Sequence, residues 1–200
     1  MIGLSRARQG WLGVALWAVL ALTPVRRLLE ASMVGHMGVQ IPLLIVVGWL
    51  VGRGLAIVFR RDFGSYNSHG VPGIILTLFV IAYWMVPRNL DASLEQPFME
   101  LIKFTSLPLL AGIPLALSWP RLALIGRGFV WSNLLAMLFV MAWLYIESPV
   151  RICNFYLVNQ QTLLGWYCFK VGILLSAFLV MRAFTLNLHA PHSNTPLSGE

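Results

Sequence analysis

The sequence predicts an all-α fold, a polytopic helical membrane protein with about six transmembrane helices in one bundle. Three observations predict it. Of its 200 residues 58% are hydrophobic and 10% charged, against roughly 45–50% and about 25% in soluble domains. Mean hydropathy is +0.79. The apolar residues also gather into six runs of about the length that crosses a hydrocarbon core, separated by short segments carrying arginine and proline.

The first run, 10–25, is marginal. Arg6 and Arg8 before it imitate a signal peptide, but no small-x-small cleavage site follows, so it reads as an uncleaved first span. The others are 31–52, 71–86, 98–119, 122–146 and 162–184. Segment 55–59 is too short to cross and is expected at an interface or extending the second helix. Pro24, Pro87 and Pro120 fall at run boundaries, where a missing N–H does least harm. Pro42, Pro108 and Pro114 lie inside runs and are expected to kink them. Residues 1–186 thus form one transmembrane domain, and 187–200 a flexible polar tail. No internal repeat is visible.

The formal charge of +7 comes from Lys and Arg scattered singly or in pairs between apolar runs, which excludes a nucleic-acid face. It fits the positive-inside rule instead. With six spans, Arg6, Arg8, Arg53, Arg60, Arg61, Arg121, Arg127 and Arg182 fall on the side of the termini, against Arg26, Arg27, Arg88, Lys103 and Arg151 on the other. Both termini are therefore expected in the cytoplasm of a bacterial inner membrane. Glu30, Asp91, Glu95, Glu100 and Glu147 all fall outside, and the trio in 91–100 reads as solvated surface.

No GxGxxG, P-loop, HExxH or GxSxG motif is present, so no enzyme is indicated. Cys153 and Cys168 are spaced for neither a disulfide framework nor a zinc knuckle. The notable group is Met33, His36 and Met37, which share one helix face at i, i+3, i+4 near the outer end of the second run. Met85, Met99, Met137, Met141 and Cys153 fall toward the same end. Thioether and imidazole ligands select Cu(I) over hard cations. Methionine is also ordinary packing material in apolar cores, and the spacing alone leaves both readings open. Self-contained haem ligation is disfavoured, because His36 is the only histidine within a run; His69 is in a loop, and His189 and His192 are in the tail. Lys170, about nine residues into the last run, is expected near mid-membrane with Asn133 at similar depth, as a proton or solute site or as a lysine satisfied locally.

Three stretches together resemble the CtaG group of cytochrome c oxidase assembly proteins. "GHMGVQIPLLIVVG" (35–48) is similar to that family's span carrying histidine, methionine and glutamine. "YWMVPRNLDASLEQPFMELIKFTSLPLLAGIPLALSW" (83–119) is similar to its Trp-x-x-Pro, Asp-Ala-x-Leu-x-x-Pro segment and the following span. "NQQTLLGWYCFKVG" (159–172) is similar to its Asp-Gln-x-x-x-Gly motif. The family pattern is richer in histidine: Met99 and Lys103 stand where it tends to carry histidine, and Asn159 where it carries aspartate. The resemblance implies a role in copper delivery to, or assembly of, a haem-copper oxidase or other membrane copper enzyme. Cu(I) would lie at Met33, His36, Met37, Met85 and Met99, and oxidase subunits or periplasmic copper carriers would be partners besides the lipid bilayer. The residues leave two other classes open. One is a small-solute or proton-coupled transporter using Lys170 and Asn133, and the other a structural subunit of a larger membrane complex, packed through small residues such as Gly35, Gly38 and Gly112.

Overall fold

The computed structural model describes residues 6–56 and 67–188. Among these every regular element is helical. In chain order they are α1 (Arg6–Ala21), α2 (Thr23–Glu30), α3 (Val34–Leu55), α4 (Val71–Met85), α5 (Pro87–Glu95), α6 (Pro97–Arg121), α7 (Leu124–Glu147) and α8 (Val158–Leu188). α3, α6, α7 and α8 are each long and apolar enough to cross a membrane; α1 with α2, and α4 with α5, qualify as bent pairs. The count of four to six agrees with the six runs of the sequence. The tail from 189, with His189 and His192, and most of segment 55–59 lie outside the described residues.

The sharp bends are at the run boundaries: 71° between α1 and α2, beside Pro24, and 69° between α4 and α5, beside Pro87. The internal prolines instead sit in or after widened π-helical turns, Val34–Gln40 before Pro42 and Leu107–Gly112 around Pro108. A π turn lengthens the ring of each backbone bond and absorbs the missing donor without breaking the axis. Carbonyls that the prolines cannot bond are taken by side chains. Phe104 O, which an N–H at position 108 would meet in an α-helix, accepts the Trp17 indole N–H at 2.9 Å. Gly38 O, in the same relation to Pro42, accepts Tyr167 O–H at 3.5 Å.

α3 is the central element, packed on α1 and α6; α4 packs on α6, and α7 pairs with α8 as an outer hairpin. Without a water-driven hydrophobic force between spans, close approach matters most. At the α3–α6 crossing a Cβ on Gly48 would lie 2.7 Å from Gly112 Cα, so only glycine fits both backbones. The buried apolar core includes Ile41, Leu44, Val47, Trp84, Phe104 and Leu107.

The chain direction places α2, the start of α3, α5, the start of α6 and the 148–157 loop at one end of the bundle. The opposite end carries its own lock. Asn67 Nδ2 donates to Ser118 Oγ at 2.8 Å, and Thr77 Oγ1 bonds to Ala111 O at 3.0 Å.

Candidate functional site

The first of these ends holds a cluster of charged and polar side chains drawn from four segments. Lys103 enters from α6, about 9 Å along the axis from Pro97, and is wholly buried. Its ammonium lies 2.9 Å from Glu30 Oε1, 3.0 Å from His36 Nε2 and 3.1 Å from Gln40 Oε1. An ammonium has three protons, and here three acceptors meet them. His36 and Gln40 are one turn apart at the start of α3, while Glu30 ends α2, so the 71° bend beside Pro24 brings Glu30 to the site.

The network fixes the histidine tautomer. With Nε2 accepting from Lys103, Nδ1 carries the proton and donates to Tyr156 Oη at 3.1 Å. Tyr156 Oη then donates to Glu30 O at 2.9 Å. Gln40 Nε2 donates to Glu30 Oε1 at 3.2 Å, completing a closed set. Arg26 and Glu100 form the rim: Arg26 Nε is 2.8 Å from Glu100 Oε1 and 3.9 Å from Glu30 Oε2. The shorter contact is an ion pair by distance, but its N–H is not aimed at the oxygen, so it counts as charge rather than as an aligned hydrogen bond. With neutral His36, two cations and two carboxylates leave the cluster electroneutral.

Exposure grades inward. The Arg26 side chain is 31% exposed, Glu100 17%, Glu30 14% and Lys103 0%. Behind Lys103, Ile41, Leu44, Val47 and Leu107 are buried and apolar. Further along α6, Ser106 Oγ accepts the Trp84 indole N–H at 2.8 Å and Ala111 O accepts Thr77 O–H at 3.0 Å, so the polar groups below the cluster are single and each is spent on one internal bond.

The loop roofing the cluster is itself tied down. Asp91 on α5 accepts Asn154 N–H at 2.9 Å, and Gln161 Oε1 accepts Ile152 N–H at 2.9 Å. Burial, then the nearby Asp91 charge, pushes the Cys153 thiol up to about 12. Burial first, then the charges of Glu30, Cys153 and Asp91, holds the Tyr156 hydroxyl well above its ordinary range. Neither is a reactive anion at neutral pH.

The structure buries Met33, His36 and Met37 together at this end, with Tyr145 Oη 3.8 Å from Met37 Sδ. Met85 packs half-buried against the core, and Met99 is half-buried on the first turn of α6. A copper ion at His36 needs a free imidazole nitrogen, and both are engaged, one of them by a cation. The residues as arranged do not fit copper there. Among the described residues, no group of three or more His, Cys, Asp or Glu is placed to hold a metal.

The structure places Lys170 and Asn133 on exposed faces of α8 and α7, which turn only a narrow face to the bundle. One expectation is corrected. The 91–100 carboxylates are not all solvated: Asp91 is buried and Glu100 pairs with Arg26, while Glu95 is exposed. Sequence reasoning missed Lys103, Glu30, Gln40, Arg26, Glu100 and Tyr156 as site residues. Lys103 carried a usable signal, lying inside the 98–119 run just as Lys170 lies inside its own.

Compared with known protein families, curated proteins and solved structures, the chain finds no match.

Proposed function

We propose that the chain is a non-enzymatic accessory protein of a membrane complex, acting from the face of the bilayer on which the polar cluster opens. One observation carries this reading: the cluster is charge-balanced and joined across four segments, with the three acceptors of Lys103 all supplied from within. A translocation pathway needs a charge free to exchange partners or water. A closed cluster instead holds α2, α3, α6 and the loop before α8 in a fixed arrangement, a surface for another subunit to read.

The resemblance to the CtaG group supplies the client class, a haem-copper oxidase or other membrane copper enzyme. In this reading the chain supports assembly without holding copper at His36. The excess of arginine on the side of the termini orients the cluster toward the outside of a bacterial inner membrane.

Deletion of the gene in its host tests the proposal. Oxidase activity per haem and copper per haem in washed membranes fall on deletion and return with the wild-type gene. Unchanged values for every membrane copper enzyme would overturn the client assignment. A purified chain that moves protons or solutes across proteoliposomes would overturn the accessory reading itself.

A further inference from the structure

The acceptors around Lys103 hold their positions without it. Gln40 is fixed to Glu30 through its own amide N–H, at 3.2 Å. His36 is fixed from its far side by Tyr156, which is anchored on the Glu30 carbonyl at 2.9 Å. Glu30 also faces Arg26 at 3.9 Å. None of these restraints passes through the lysine. A carboxylate oxygen, an imidazole nitrogen and an amide oxygen thus converge on one point, each about 3 Å from it. The Phe104 ring adds a fourth contact, its centroid 5.4 Å from the Lys103 nitrogen, within cation–π range.

From this geometry we infer that Glu30, His36, Gln40 and Phe104 form a preorganised receptor for a primary ammonium group, occupied in the native chain by its own Lys103. One acceptor per N–H, charge balance from a single carboxylate and an aromatic wall are what a group of the form R–NH3+ requires. A quaternary ammonium has no protons for the three acceptors, and a guanidinium is planar where the acceptors surround a point. In the native chain Lys103 is wholly buried and its own ammonium holds the point, so the site is closed to outside amines. Truncating the side chain vacates it. This inference does not depend on the accessory role.

The test is chemical rescue. Lys103→Ala, purified in detergent, is heated with methylammonium, ethylammonium, tetramethylammonium or sodium chloride at equal ionic strength. Methylammonium and ethylammonium are expected to raise its Tm saturably by several degrees over sodium chloride, while tetramethylammonium does not. Wild type, and Lys103→Met, whose side chain still fills the space of the lysine stem, should give no such difference. Equal effects of all four salts, or an equal response of wild type, would overturn the inference. So would stabilisation of Lys103→Ala by Zn2+ or Cu(I) with none by amines, since that makes the trio a metal site. Should Lys103→Ala not accumulate alone, its level in membranes of cells grown with ethylammonium becomes the readout. Amine-dependent accumulation supports the receptor, and failure with and without amine overturns it.

Discussion

Removing the one carboxylate that balances Lys103 is the most direct test of the cluster's energetics. Glu30 Oε1 accepts from Lys103 at 2.9 Å and from Gln40 at 3.2 Å. In Glu30→Gln the ammonium stays wholly buried and loses its counter-charge, since Glu100 is already paired with Arg26. Breaking a buried pair by removing one partner costs about 3–5 kcal/mol. The 14% exposure of the Glu30 side chain lets some water reach the site and puts the cost near the lower end, about 3 kcal/mol. For a chain of 200 residues, at roughly 2–4 °C per kcal/mol, Tm falls by about 6–12 °C. Lys103→Met costs less, because Glu30 keeps Gln40 and Arg26. The double variant Glu30→Gln, Lys103→Met restores neutrality, and replacing both members of a buried pair is often neutral or stabilising. Its Tm should exceed that of Glu30→Gln alone. Intrinsic fluorescence of the eight tryptophans, followed on heating in detergent, reads all four proteins. Strictly additive single effects, or a Glu30→Gln within 2 °C of wild type on this scale, would refute the view of Lys103 and Glu30 as a coupled buried pair.

Cys153 rises from 9.0 to about 12, so below pH 9 its thiolate fraction is about a thousandfold lower than in the unfolded chain. Iodoacetamide at pH 8 should leave Cys153 unlabelled, as read by peptide mass spectrometry, until denaturant is added; between pH 8 and 10 labelling should quicken about tenfold per pH unit. Gly48→Ala forces a methyl against the backbone of Gly112 and should cost about 1–3 kcal/mol, read as a lower Tm. Lys170→Ala removes an exposed side chain and should leave stability unchanged within about 0.5 kcal/mol, read by Tm, and proton flux through proteoliposomes unaltered.

The fold class was legible because hydropathy is additive along the chain: a run of about twenty apolar residues marks a crossing whatever it packs against. The ends of the elements were less so. Pro24 and Pro87 mark breaks in sequence, but only the chain's three-dimensional path shows that α2 and α5 continue at steep angles and carry Glu30 and Asp91 inward. His36 could be picked out as the only histidine in an apolar run. Its partners could not, because the cluster joins residues 73 and 126 positions apart, Glu30 with Lys103 and Glu30 with Tyr156. Lys103 and Lys170 look alike in sequence, each a lone cation in an apolar run. What separates them is which helix is central: α6 packs on both α3 and α4, while α8 pairs chiefly with α7.

A lysine at this position also bears on why the cluster would persist. Burying a cation and a carboxylate together rarely adds much stability over an apolar pair of the same volume. It does penalise every arrangement in which the pair is broken. Here Lys103 is on α6, Glu30 on α2, His36 and Gln40 on α3, and Tyr156 in the loop before α8. Sliding α6 by one turn against α3 would move Lys103 by 5.4 Å, past all three acceptors, and leave a bare charge in an apolar layer. Apolar contacts between these helices are far more tolerant of such a slip. The cluster therefore specifies one register for α2, α3 and α6 and fixes the face they present.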